Sequence, residues 1–203
     1  MYRPPSMSLI PWVALVTSLG AAPYSGQRSD AEPVKNLGRF LEEYLGDCGS
    51  ADPAFDKKGC ELGAEGVRRA KAGKLFYVSV EDSERFQFNG WDAKRNAFRM
   101  LFTPFLSDRN LGFTIGKPGS FTKDGQPMVK NMPVWITVPK DGDQNALERE
   151  LKRGMVRLEL LFRPGKPWAF ERKGDTAVRG VAVDLVGLRV YSRGDQVLAE
   201  QTY

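Results

Sequence analysis

The chain has 203 residues, with 30 basic and 25 acidic side chains, two cysteines and no histidine. Without histidine the Ser–His–Asp triad, the Cys–His pair and every His-ligated metal centre are excluded, and two cysteines are too few for a four-cysteine zinc or iron–sulfur site. At 41% apolar and 27% charged residues, the composition is that of a soluble globular chain.

The first 20 residues read as a secretory leader. Arg3 provides the positive start, Leu9 to Val16 an apolar stretch interrupted by Pro11, and Ser18-Leu19-Gly20-Ala21-Ala22 the small residues of a cleavage region. The stretch is shorter than the about 20 residues of a transmembrane helix, and no later segment is apolar for long enough. The alternative is a buried N-terminal helix. The expectation is an exported protein, periplasmic or secreted, with no membrane span. Losing Arg3 takes the formal charge from +5 to +4. The basic clusters, Arg68-Arg69 with Lys71 and Lys152-Arg153, sit beside acids, so no basic stripe forms and no nucleic-acid partner is expected. The partner expected is an envelope or extracellular one.

Cys48 and Cys60 fit this address as a structural disulfide. Closing so short a loop stabilises the fold by about 3 kcal/mol in the chain-entropy account. The spacing is not the CxxC of a redox pair.

A short polar run, Tyr24 to Ser29, is followed by a predicted helix with Asp30 as cap and Pro33 in its first turn. Val34, Leu37, Phe40, Leu41, Tyr44 and Leu45 recur at helical spacing, and Gly46 supplies the stop. A second helix is predicted from Asp52-Pro53 to Ala72 with Phe55, Leu62, Val67 and Ala70 inward, weakened by Gly59, Gly63 and Gly66. The two would form a helical hairpin stapled by the bridge.

From Lys74 on, the pattern has period two. Leu75–Glu81, Arg85–Trp91, Ala97–Leu106, Leu111–Ile115, Met132–Val138, Val156–Phe162, Val178–Ser192 and Val197–Thr202 read as strands. Short turns between the first three, and Lys123-Asp124-Gly125 and Arg193-Gly194-Asp195 later, imply antiparallel neighbours. Near Val186-Gly187 the apolar face changes sides, which predicts a β-bulge. Ala146–Arg153 reads as a helix capped by Asn145 with Glu148 as the reciprocal acid. The expected fold is α+β: an N-terminal disulfide-stapled helical hairpin packed on a mostly antiparallel, aromatic-rich sheet, either a sandwich or a partly closed barrel. Residues 21–203 are expected to form one domain.

Each short motif has a plain structural explanation beside the chemical one. Asp141-Gly142-Asp143-Gln144-Asn145 opens like a calcium loop, but Ala146 and Lys152 stand where that loop needs Gly and Glu. Ser120-Phe121-Thr122-Lys123 matches S-x-x-K without a helix, a K-T-G or an S-D-N to support it. Arg193-Gly194-Asp195 is a hairpin turn before it is an adhesion signal. Glu81, Asp82, Glu84 and Asp92 include enough carboxylates for glycoside hydrolysis without histidine, yet acids at turn starts cap backbone as a rule. GxGxxG, Walker, GxSxG and N-x-S/T patterns are absent, so no cofactor, metal or catalytic residue is assigned. The candidate ligand contacts are Trp91, Asp92, Trp135 and Trp168, aromatic rings that stack on sugar faces plus one carboxylate.

A leader, a Cys-containing helical segment, an aromatic β-region and the ending Leu188-Arg189-Val190-Tyr191-Ser192 with Val197 to Tyr203 complete the layout. It resembles bacterial exported proteins of families with no assigned function. The functional expectation is a non-catalytic envelope or secreted binding module. The alternatives are a histidine-free glycan hydrolase using a carboxylate pair and a structural subunit of an envelope assembly. The exported protein is expected to begin at Ala21 or Ala22. Its intact mass decides this, and a mass matching residues 1–203 would refute the leader.

Overall fold

Side chains alternate across a strand, so a segment that is apolar at every second position has one face to bury. Most of this chain beyond residue 75 is built that way. The computed structural model describes residues 23–46, 48, 54, 56–81, 86–102, 105–106, 111–116, 132–140, 142–172 and 175–203. In chain order the elements are α1 (Tyr24–Ser29), β1 (Glu32–Pro33), α2 (Leu37–Leu45), α3 (Lys57–Lys71), β2 (Phe76–Val80), β3 (Phe86–Asp92) and β4 (Ala97–Phe102). Then follow β5 (Phe105–Leu106), β6 (Leu111–Ile115), β7 (Met132–Thr137), α4 (Gln144–Arg153), β8 (Val156–Arg172), β9 (Asp175–Ser192) and β10 (Val197–Thr202). None of the described helices is long and apolar enough to cross a membrane.

The fold is α+β with two curled, mostly antiparallel sheets. The larger runs β1-β2-β8-β9-β6-β5, with β10 also on β9, and the smaller runs β3-β4-β7. Only β1–β2 and β6–β9 pair in parallel among the described ladders. One edge of β9 follows β8 along its length. Its other edge pairs with β6 from Arg179 to Val183 and with β10 from Gly187 to Tyr191. Between these stretches the register against β8 slips: Leu161 faces Gly187, but Phe162 faces Leu185. This is the bulge expected at Val186-Gly187. Leu188 and Val190 lie in the main core, Val186 on the opposite face, and Val183 and Val181 return to the core.

Phenylalanine rings tie helix, large sheet and small sheet together. Phe40 of α2 meets Phe76 of β2 at 5.3 Å and Phe162 of β8 at 6.0 Å. Phe113 of β6 stands edge-on to Phe162 at 5.0 Å and to Phe102 of β4 at 6.1 Å, and Phe102 meets Phe86 of β3 at 5.3 Å. Each such contact contributes about 0.5–1.5 kcal/mol beyond simple burial.

The other face of the large sheet has its own small cluster of Tyr24, Ala31, Leu161 and Val186, covered by α1. Residues 24–29, read from sequence as a polar run, are thus a docked helix. Tyr24 is the reason: its ring lies over Gly187, and its hydroxyl donates to the carboxylate of Glu159 at 3.0 Å. Glu159 is buried on β8 and also accepts from Arg28 Nε at 2.9 Å and Nη2 at 3.3 Å. Arg189, over the Tyr24 ring at 4.4 Å, pairs with Glu200 at 2.8 Å and donates to Ser25 Oγ at 2.9 Å. A buried carboxylate is costly unless paired and hydrogen-bonded, and here it is both.

The helix starts differ from the sequence expectation, for reasons of hydrogen bonding. Glu32 and Val34 are drawn into a parallel ladder, their N–H groups donating to Leu75 O and Tyr77 O, both at 2.9 Å. Pro33 falls between these two donors, where the ladder needs none. The helix expected from Asp30 therefore begins at Leu37, capped by Asn36, whose side chain accepts from Arg39 N. The second helix opens at Lys57 behind Asp56 rather than at Asp52-Pro53.

Cys48 and Cys60 are bridged, their Cα atoms 5.6 Å apart. Yet α3 rests on α2 instead of facing the sheet, and its expected inward residues are displaced accordingly. Leu62 is 56% exposed, Ala70 is exposed, Val67 is only half-buried, and Phe55 lies outside the described residues. Ala64 is the contact, and a Cβ on Gly46 (φ +70°) would come within 2.8 Å of it. Carbonyls at the end of α2 are taken by arginines, Tyr44 O by Arg68 at 3.1 Å and Gly46 O by Arg179 at 2.7 Å.

Asp143, not Asn145, caps α4 by accepting from Ala146 N, and Glu148 pairs with Lys152 at 2.6 Å. β8 runs on to Arg172, past the predicted end at Phe162, and the predicted strand over residues 97–106 divides into β4 and β5.

Burial, and then the adjacent Glu159 carboxylate, push the Tyr24 phenol far above its ordinary value of 10. Below that pH both native and unfolded chains hold the proton; above it the unfolded chain ionises first. Stability is therefore expected to fall by about 1.4 kcal/mol per pH unit above about 10 through this residue alone. Urea titrations at about pH 9 and about pH 11 should show Tyr24→Phe losing about 1 kcal/mol at the lower pH, with a shallower decline between the two.

Candidate functional site

Strands of the small sheet place Phe98, Met100, Phe102, Val134 and Ile136 in the core. Period-two geometry then turns Arg99 and Trp135, paired across β4 and β7, to the outer face. The turn from β3 to β4 is closed by Asp92, whose carboxylate accepts from Lys94 N at 2.9 Å and Arg95 N at 3.2 Å. Asn96 takes a positive φ of 50° within it. A register slip between Phe88 and Trp91 brings the Trp91 ring to 4.8 Å from Phe98. Together these elements form an open cleft of about 490 Å³ lined by Asn89, Gly90, Trp91, Asp92, Ala93, Lys94, Arg99 and Trp135.

Its electrostatics are unusual. The guanidinium of Arg95 lies 4.5 Å, and that of Arg99 5.8 Å, from the centre of the Trp135 ring. Arg95 is also 3.9 Å from the Asp92 carboxylate. Arg99 is half-buried with its Nε shielded from solvent, and its guanidinium has no hydrogen-bond partner among the described residues. Lys94 Nζ likewise has none there. Leaving a shielded donor unmade costs about 1–3 kcal/mol, which stacking on an indole offsets only in part.

Trp135 also borders a second cleft of about 360 Å³, where β9 passes from β6 to β10, lined by Ile115, Gly116, Pro133, Val134, Val183, Asp184, Leu185 and Tyr203. The backbone of Trp135 is held from this side. The Gln201 side chain donates to Trp135 O and accepts from Thr137 N at 2.8 Å, so its amide stands where a neighbouring strand's peptide unit would. The Tyr203 hydroxyl adds a bond to Trp135 O at 3.0 Å. β10 and β7, from different sheets, are thereby joined through side chains.

Of the four residues singled out by sequence, three line one cleft. Asp92 is there as a turn-former, its carboxylate engaged by two backbone N–H groups. Trp168 is elsewhere: it lies flat on Gly180, where a Cβ would come within 2.1 Å of the indole, and donates to Thr114 Oγ1 at 3.0 Å. Its role is packing at the far end of the β8–β9 ladder. Glu81 lines a different cleft with Arg157 and Asp195, while Asp82, Glu84 and Ser120–Lys123 lie outside the described residues. Asp195, the acid of the Arg-Gly-Asp turn, is paired with Arg157 at 2.7 Å. The described residues contain no cluster of three potential metal ligands. Sequence reasoning missed Lys94, Arg95, Arg99 and Gln201. Arg99 alone carried a signal: it is the single charge inside the apolar run Ala97 to Phe102.

The molecule is thus an α+β protein with a basic, tryptophan-bearing cleft on the outer face of its smaller sheet. The profile of a family of unknown function, DUF6066, matches residues 7–197, and the chain belongs to that family. No curated protein and no solved structure matches it.

Because Arg99 has no hydrogen-bond partner among the described residues and only a 5.8 Å contact with the Trp135 ring, Arg99→Met is expected to leave stability unchanged or raise it by up to about 1 kcal/mol. Phe98→Ala beside it, emptying a wholly buried site, should cost about 3–5 kcal/mol. Thermal and urea denaturation of the two variants check the contrast; a loss above about 1 kcal/mol in Arg99→Met would mark that arginine as structural.

Proposed function

We propose that this protein is an exported, non-catalytic binding module, periplasmic or secreted, and that its ligand is held in the cleft beside Trp135 on the outer face of the small sheet. The observation that carries the reading is the arrangement of Lys94 and Arg99: two cations in an open cleft beside the Trp135 indole, with donors no described residue uses. A site kept at a cost to stability is one shaped for binding. The disulfide supports the exported address, since such bridges persist in oxidising compartments. The openness of the cleft favours a solvated ligand over an enclosed apolar one.

Co-sedimentation with insoluble peptidoglycan, cellulose and calcium-gelled polygalacturonate tests it. At least one of these is expected to retain the purified protein, and Trp135→Ala to weaken retention at least tenfold while Leu62→Ala, on the exposed side of α3, does not. Retention by none of them, or retention indifferent to Trp135→Ala, would refute the cleft as the binding site.

A further inference from the structure

Resting on that reading of the cleft, we infer that the ligand is an acidic saccharide, a chain of carboxylated sugars whose carboxylate is received by Arg99 with Lys94 beside it. Trp135 is the starting point. An indole already covered by guanidinium groups at 4.5 and 5.8 Å is a poor free platform for a neutral sugar face. Arg99, half-buried and 5.8 Å from the Trp135 ring centre, leaves its N–H donors unused among the described residues.

A planar guanidinium with unused donors matches a carboxylate, which accepts two parallel N–H bonds. The one carboxylate lining the cleft, Asp92, accepts from the Lys94 and Arg95 backbone and has Arg95 as its ion-pair partner, so among the described residues Lys94 and Arg99 have no carboxylate partner. The exposed Asn89, lining the same cleft, supplies an amide for the hydroxyls of a sugar. The second cleft continues the surface past Trp135 to the exposed ring of Tyr203, which favours a chain over a single sugar.

Calorimetric titration of the full chain with galacturonate and mannuronate hexamers, the methyl ester of the galacturonate hexamer, and inorganic phosphate separates the possibilities. At least one uronate hexamer is expected to bind at least tenfold more tightly than the ester. Arg99→Gln should weaken it at least tenfold and Lys94→Gln severalfold, with unchanged circular dichroism, and the affinity should fall as salt is raised. Equal binding of acid and ester overturns the carboxylate inference yet leaves the cleft as a saccharide site. Binding that survives both Arg99→Gln and Trp135→Ala overturns the cleft itself. Phosphate binding without uronate binding, or no binding by either uronate, overturns the inference.

Discussion

Three separate layers of this protein meet at one line of phenylalanine rings. Phe40 brings α2 to the large sheet, Phe76 and Phe162 form that sheet's inner surface, and Phe113 passes the contact to Phe102 and Phe86 of the small sheet. Edge-on geometry matters as much as area here, because the positive rim of one ring meets the negative face of the next. The contact of Phe113 with Phe102 carries the core from the large sheet into the small one, beside the β10–β7 join made by Gln201 and Tyr203. The cleft on the small sheet's outer face is lined wholly by that sheet and its β3–β4 turn, and none of its residues belongs to the ring line.

Long strands pose a second constraint. β9 is 18 residues long, and on one edge it serves two short partners in turn, β6 and then β10. A twisting strand of that length needs a release, and the slip at Val186 provides it, turning the side chains over so that both ends of β9 still face the core. The handover from β6 to β10 leaves backbone without a strand beside it and opens the second cleft. Gln201 and Tyr203 then reach β7 from β10, so the join between sheets is made by side-chain amide and hydroxyl. Edges protected in this manner offer little to an incoming strand, and Pro133 at the start of β7 withholds a further donor.

Charge is treated in opposite ways on the two outer faces. Over the large sheet the charges beneath α1 are answered: Glu159 by Tyr24 and Arg28, Arg189 by Glu200 and Ser25. On the small sheet Arg99 lies 5.8 Å from the Trp135 ring centre and is otherwise unanswered among the described residues. The first pattern is what fastening a six-residue helix requires. The second leaves a shielded guanidinium donor without a partner among the described residues, a cost the nearby indole offsets only in part.

Local chemistry is what the sequence by itself determined. Period two wrote the strands, the cysteine pair wrote the bridge, and the double apolar step at Val186-Gly187 wrote the bulge, since each depends on residues close in the chain. Trp91, Asp92 and Trp135 were legible only as types, strand aromatics and a turn acid. Only the tertiary structure decided which of them meet. Trp168 resembles Trp135 in every local respect, yet one lies against Gly180 and the other beside Arg99, an outcome settled by which strand pairs with which. The helix starts were decided the same way, for Glu32 and Val34 join β2 across some forty residues of chain, a bond no local signal could announce. Residue type sets what a side chain can do, and long-range hydrogen bonding sets the company in which it does it.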